Sequence, residues 1–335
     1  MDPKSRGMGL CMGEPYDPDD TDALFFEGAE TNSTAVASKQ FELFSSDGNL
    51  KQWTVPDGVT SISIAAVGAG GGADFPPAGQ LTGNASSYKR GSGGSGVRWS
   101  NNISVTPGEV LDVRCGFPGV PRNSGYSQHP PEFDYGANTW NDKTRCSQVR
   151  RQNGTVLLRS DSPTGGSQTG VNSGSGTGGG SGGAGGGDSS DGQTLLVGAG
   201  GGAGGYSGTG GTGGLGTLPS NWGGSGHTAG TAGTGSSAGG GGGTNTLWGQ
   251  YDGGDVYLWG AGDAGSGGAI HTNGGDGSQT GTGSTNPPQF CKGGGGGANG
   301  EHTWGNQNPG SHGAVRITWP GNTKQFPSTN VEYPL

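Results

Sequence analysis

The chain has 335 residues, 82 of them glycine, and only 27% of its residues are hydrophobic. Its formal net charge of -9 argues against nucleic-acid binding, because phosphate contacts require clustered lysine and arginine. It also lacks the run of about 20 apolar residues that a membrane-spanning helix needs, so no membrane insertion is expected.

Residues 1–40 are predicted to form an arm. They contain several prolines, an acidic run and one apolar patch, Leu24, Phe25 and Phe26. A segment of this composition cannot bury enough apolar surface to fold alone. We therefore expect the arm to dock on other protein, with these three residues as anchors.

The cysteines are expected to be mainly free thiols. Residues 1–30 lack the apolar run of a signal peptide, which places folding in a reducing cytoplasm. If any pair forms a disulfide bond, we expect it to be Cys115 and Cys146. The spacings of the four cysteines, which include Cys11 and Cys291, match no zinc pattern, so no metal is expected.

Residues 41–160 show the period-two alternation of half-buried strands. One predicted inward face is shared by Ile62, Ile64 and Ala66. Similar faces follow later in the chain, in the order Leu111, Val113 and Cys115, then Val315, Ile317 and Trp319. With no helical period anywhere, the pattern predicts an all-β, antiparallel sandwich, completed by strands near residues 193–198 and 313–319.

Basic residues are concentrated between Lys89 and Arg159, where they alternate with apolar residues on the predicted strands. Such alternation is typical of a solvated sheet face. We therefore expect these cations to face water rather than a nucleic acid.

Residues 161–312 are the glycine-rich part. Of the 82 glycines, 59 lie between Asp161 and Pro320, alongside only two basic residues, Lys292 and Arg316. Such tracts are often flexible linkers, but GTGGTGGLG at residues 208–216 places its larger residues at every third position. Period three is that of the polyproline-II helix, whose N–H and C=O groups are all free to bond neighbouring chains. The tract is predicted to be a bundle of polyglycine-II helices inserted into the sandwich, with a C-terminal tail at residues 320–335.

Catalytic and cofactor motifs are not convincing. Two segments, at residues 62–73 and 194–205, imitate a dinucleotide-binding fingerprint, but more glycine follows where the motif requires a helix. Residues 253–263 resemble one calcium-binding turn without its repeat, and Val256 and Leu258 are better interpreted as inward-facing strand residues. We expect no enzyme activity, no cofactor and no metal.

Aromatic residues on loops of the glycine-rich tract are the best binding candidates. Exposed tryptophan and tyrosine on a rigid support offer large contact area at little entropic cost, and they stack on the apolar faces of sugars. The receptor-binding candidates are Trp222, His227, Trp248, Tyr251 and Trp304.

Four segments of the chain resemble the glycine-rich domain family, which includes bacteriophage tail and fibre proteins and the extracellular glycine-rich region of anaplastic lymphoma kinase. They are LKQWTVPDGVTSISIAAVGAGGG (50–72), ISVTPGEVLDVRCG (103–116), GQTLLVGAGGGAGG (192–205) and GAVRITW (313–319). The resemblance covers residues 41–319. It implies a tumour-necrosis-factor-like sandwich of the jelly-roll kind that carries packed polyglycine-II helices, whose connecting loops contact a host receptor in phage adhesins.

Together these features predict a phage virion protein, present in many copies and assembled in the host cytoplasm. The arm would contact other virion proteins, and the loops would bind a host surface glycan or outer-membrane protein. One alternative is a capsid head fibre or decoration protein without receptor binding. A more remote one is an ice-binding protein, since Thr209 and Thr212 form a short regular row.

Overall fold

The computed structural model describes residues 41–45, 50–72, 74–75, 91–117, 122–123, 146–163, 174–186, 195–218, 228–242, 251–258, 263–269, 272–274, 291–292 and 310–328. Within these ranges the chain forms strands and no helix. The arm at residues 1–40, with Leu24, Phe25 and Phe26, lies outside them. The strands are β1 Phe41–Ser45, β2 Leu50–Thr54, β3 Ser61–Val67, β4 Asp74–Phe75, β5 Val97–Ser104, β6 Val110–Arg114, β7 Arg122–Asn123, β8 Ser147–Arg151, β9 Val156–Ser160, β10 Gly174–Ser175, β11 Leu195–Gly198, β12 Leu215–Leu218, β13 Val256–Tyr257, β14 Cys291–Lys292 and β15 Ala314–Thr318.

Two larger sheets organise the described strands. A four-stranded sheet has the order β1-β15-β3-β5, and a five-stranded sheet has the order β10-β9-β8-β6-β2. Every pairing in both sheets is antiparallel, whereas the short pair β4 and β7 is parallel. The described residues are therefore strand-rich and built mainly of antiparallel sheets, as the period-two alternation predicts.

One hydrophobic core joins the two sheets. Ile64 and Ile317 from the four-stranded sheet and Leu111 from the five-stranded sheet are each 0% exposed and belong to the same cluster. At its margin the rings of Trp53 and Trp319 lie 5.4 Å apart. Each large apolar side chain buried in this way contributes about 1.5 to 3 kcal/mol to folding. The predicted inward faces are thus confirmed.

The expectation that the strands are half-buried is wrong for β3 and β15, the two central strands of the four-stranded sheet, because both of their faces are buried. Ala65, Val67 and Val97 lie on the face turned away from the first core and pack in a second cluster. Their partners come largely from later parts of the chain and include Ala203, Tyr206, Val256, Leu258 and Phe326. The inward orientation predicted for Val256 and Leu258 is confirmed, since they are 0% and 2% exposed.

The second cluster also buries a charge. Arg316, on β15, is fully buried, and its Nη1 donates to the carbonyl of Leu258 at 2.8 Å. Its guanidinium carbon lies 5.9 Å from the centroid of the Phe326 ring. Desolvation lowers the pKa of Arg316 to about 10, although attraction to Tyr206 partly opposes this effect.

The expectation of a solvated basic sheet face is also wrong for part of the cations. Arg98 is 8% exposed, and its Nη1 donates to the carbonyls of Val97 at 2.8 Å and Gly180 at 3.3 Å. Desolvation lowers the pKa of Arg98, while the charge of Asp161 opposes this change. Glycine segments covering the strand supply backbone carbonyls where water was expected.

Cys115 and Cys146 are not joined by a disulfide bond. Cys115 is 4% exposed and belongs to the core, whereas Cys146 lies one residue before β8. In the β6–β8 register Arg114 is opposite Gln148, which on continuation sets Cys115 opposite Ser147. Because neighbouring strand positions point to opposite faces, the register directs the two thiols to opposite sides of the sheet.

Residues 320–328 fold back against the four-stranded sheet. The side chain of Asn101 donates to the carbonyl of Phe326 at 2.7 Å and accepts its N–H at 2.8 Å. The N–H of Gly321 donates to the carbonyl of Ser61 at 2.9 Å. Phe326 is 2% exposed and stacks on Tyr206 at 5.8 Å, so the tail closes over the second cluster.

Candidate functional site

Glycine segments continue directly from the strands of the four-stranded sheet. Val67 on β3 is opposite Val97 on β5, and the next bonds run from the N–H of Gly68 to Gly96 and from that of Gly71 to Gly93, both at 3.3 Å. These two bonds continue the residue pairing of β3 with β5, but along the glycine segment the hydrogen bonds recur at every third residue. We call residues 68–72, 91–96, 178–186, 198–215, 228–242, 251–255 and 263–269 the glycine-rich unit.

The central segment of this unit is residues 199–206. Eight consecutive N–H groups from Ala199 to Tyr206 donate to neighbouring segments, and as far as Gly205 every third N–H donates to the same segment. The acceptors in order are the carbonyls of Gly214, Tyr251, Ser92, Gly211, Gly254, Ser95, Gly208 and Ser236, at 2.8 to 3.0 Å. The segment is therefore fixed by backbone bonds on several sides, which accounts for order in a sequence with few side chains.

Close approach of the segments explains the glycine content. A Cβ on Gly202 would overlap the carbonyl of Gly239, and one on Gly211 would overlap the carbonyl of Thr231. Buried hydroxyls add further bonds, for example from Oγ of Ser95 to the carbonyl of Gly68 at 2.7 Å. Replacement of an interior glycine must displace a hydrogen-bonded neighbour.

The outer edge of the unit carries two antiparallel rows with a residue at every third position. One row is Thr209, Thr212 and Leu215, and the other is Thr228, Thr231 and Thr234. The N–H groups of Thr228, Thr231 and Thr234 donate to the carbonyls of Leu215, Thr212 and Thr209 at 2.8, 2.9 and 2.8 Å. Their Oγ1 atoms accept the N–H groups of those same residues at 2.7, 2.7 and 3.1 Å.

Several chain segments enter or leave the unit at one end, which we call the loop end. It comprises Gly91, Gly186, Ala199, Gly214, Thr228, Gly242 and Tyr251. Four backbone hydrogen bonds link several of these residues in series. The N–H of Gly91 donates to the carbonyl of Gly186 at 3.1 Å, and the N–H of Gly186 donates to that of Ala199 at 2.8 Å. The N–H of Ala199 donates to the carbonyl of Gly214 at 3.0 Å, and the N–H of Gly214 donates to that of Gly242 at 2.7 Å. Residues 76–90, 187–194, 219–227 and 243–250, which lie outside the described ranges, connect to the unit here.

Of the predicted binding residues, Tyr251 is the one that the structure describes. It is partly buried, and its carbonyl accepts the N–H of Gly200 at 2.9 Å. The other four, Trp222, His227, Trp248 and Trp304, lie outside the described residues. Trp222 and His227 belong to residues 219–227, and Trp248 belongs to residues 243–250. The described flanks of both segments therefore lie together at the loop end.

The charges near the loop end are of both signs, because Lys89 and Arg90 directly precede Gly91 in the sequence. The sequence has no lysine or arginine between residues 160 and 291, whereas Asp252 lies next to Tyr251. The N–H of Asp252 donates to Oδ1 of Asn273 at 3.1 Å, and its carbonyl accepts the N–H of Gly274 at 2.9 Å.

The described ranges contain no group of three or more histidine, cysteine or acidic residues placed to hold a metal ion. None of the residues with an assigned position forms a helix with the length and apolar character of a membrane span.

No protein-family model matches the chain, and no curated protein matches it significantly.

Proposed function

We propose that the chain is a structural protein of a bacteriophage virion, a tail-fibre or tail-tip adhesin that binds the host surface through the loop end. The observation that carries this proposal is the convergence of segment flanks at that end. Residues 219–227 and 243–250, which hold Trp222, His227 and Trp248, join a unit whose flanking residues are linked by backbone hydrogen bonds. A binding surface gains affinity when its support is already ordered, because less entropy is lost on association.

The proposal includes a specific architecture. The two sheets would form a tumour-necrosis-factor-like sandwich, an interpretation supported by their shared core. The glycine-rich unit would be a bundle of polyglycine-II helices. Its support is the direction of the N–H groups along residues 199–205, where every third N–H donates to the same neighbouring segment.

The ligand class follows from the chemistry near the loop end. Aromatic side chains suit the apolar faces of sugars or a protein surface. We therefore propose a host surface glycan or an outer-membrane protein as the receptor. Residues 1–40 would attach the chain to other virion proteins, and many copies per particle would raise the avidity well above the affinity of one site.

The test is competition with phage adsorption by the purified full chain. Wild-type protein is expected to bind host cells and to reduce adsorption of the phage. Trp222→Ala and Trp248→Ala should each weaken binding about 30-fold, the effect of losing a central aromatic anchor. Leu50→Ala is the control, since Leu50 is 41% exposed on β2 of the five-stranded sheet.

Two results would contradict the adhesin. If wild-type protein neither binds cells nor competes, receptor binding is wrong, and location of the subunit on capsid symmetry axes would then favour a head fibre or decoration protein. If thermal hysteresis is found instead, the chain is ice-binding. The threonine rows give that alternative little support, because the hydroxyls of Thr228 and Thr234 both accept and donate bonds within the chain.

A further inference from the structure

Every N–H group from Thr209 to Leu215 has an acceptor, but the acceptors are of two kinds. Gly210 and Gly213 donate to the carbonyls of Ser181 and Ala184, and Gly211 and Gly214 donate to those of Gly239 and Gly242, at 2.7 to 2.9 Å. The remaining three, Thr209, Thr212 and Leu215, donate to threonine hydroxyls. On the outer edge, side chains thus replace the backbone carbonyls that serve as acceptors inside the unit.

The use of hydroxyl groups as acceptors in place of carbonyls has a geometric reason. In this antiparallel pair, the N–H of Thr231 already uses the carbonyl of Thr212, and the carbonyl of Thr231 accepts the N–H of Gly241. That carbonyl is therefore directed to another segment. A hydroxyl on the same residue reaches the N–H of Thr212 at 2.7 Å, and each row position then forms a two-bond pair.

We infer that Thr228, Thr231 and Thr234 form a hydroxyl ladder that holds residues 228–235 against residues 208–215 and positions the loop end. Thr228 is the first described residue after residues 219–227, so the ladder fixes the point at which the segment with Trp222 rejoins the unit. The expected effect of the ladder on receptor binding rests on the proposed function, whereas its effect on the stability of the two rows does not. The ladder residues are positioning residues, since their hydroxyls are used within the chain rather than for a ligand.

The first test is amide hydrogen exchange, which does not require a receptor. Thr231→Val keeps the side-chain shape but removes the acceptor, whereas Thr231→Ser keeps it. Exchange at the amide of Thr212 should accelerate about tenfold in the valine variant, the effect of one lost hydrogen bond. The serine variant should retain protection, and the amide of Gly211, which uses the carbonyl of Gly239, should change little in either. Equal protection in both variants would overturn the ladder.

The second test is host-cell binding by chains with valine, or with serine, at all three ladder positions. We expect the valine chain to bind several-fold more weakly and the serine chain to bind like the wild type. If the valine chain loses amide protection yet binds normally, while Trp222→Ala binds weakly, the positioning role is wrong. If wild-type protein does not bind cells at all, the proposed function fails, and the exchange measurement alone decides the ladder.

Discussion

Gly202→Ala tests whether backbone contact holds the glycine-rich unit together. The new Cβ would overlap the carbonyl of Gly239. That residue accepts the N–H of Gly211 at 2.8 Å and donates to the carbonyl of Ala203 at 2.9 Å. Displacing it weakens two buried bonds, each costing about 1 to 3 kcal/mol when its partners are left unsatisfied. Alanine also lowers the conformational entropy of the unfolded chain, which offsets about 0.4 to 1 kcal/mol of this loss of stability.

The expected net loss is about 3 kcal/mol in the free energy of unfolding, or a decrease of about 6 to 12 °C in Tm. Urea unfolding followed by tryptophan fluorescence, together with calorimetry, would measure it. Ala232→Ser is the matched control, because it also adds one heavy atom but at an exposed position of the same unit, and a change within about 0.5 kcal/mol is expected. A Gly202→Ala protein as stable as this control would refute the reasoning.

Three further predictions concern buried groups near the sheets. Burial lowers the pKa of Arg316 from its ordinary value to about 10, so that burying the charged form costs about 3 kcal/mol at pH values below 10. Between about pH 10 and pH 12 the unfolded chain binds more protons than the folded one, so the stability of the wild type should rise relative to that of Arg316→Met over this range. Urea-unfolding free energies that run parallel for the two proteins across this range would contradict the prediction. Phe326→Ala should destabilise the protein by about 3 to 5 kcal/mol and speed tryptic cleavage after Lys324, an effect absent if the tail is not docked. Peptide mapping without reductant should find Cys115 and Cys146 alkylated separately, with Cys115 reacting more slowly in the folded protein because it is buried. A disulfide-linked peptide would contradict this prediction.

Period-two patterns were the most informative part of the sequence. They identified the inward residues of β3, β6 and β15, because alternation along one strand directly records which face meets the core. They could not show that Ala65 and Val67 are also buried. That burial depends on Tyr206 and Phe326, which are distant in sequence, so no local pattern encodes it.

The glycine tract was understood only in part. Its period of three was visible at Thr209, Thr212 and Leu215, but their partners were not recognised. The signal was present in TAGTAGT at residues 228–234, where threonine also recurs every third residue. Matching two rows of equal period in opposite directions would have predicted their pairing. The structure tests the predicted binding residues least, because of the five only Tyr251 lies within the described ranges.

The rotation of N–H groups along residues 199–206 constrains how this protein can change in length. Removing one residue would turn every later N–H by about a third of a circle and direct it to a different neighbour. Removing three would restore the original directions and shorten the segment by one turn. Insertions and deletions inside this segment should therefore be tolerated only in multiples of three residues, because only these leave each later N–H directed to its present acceptor.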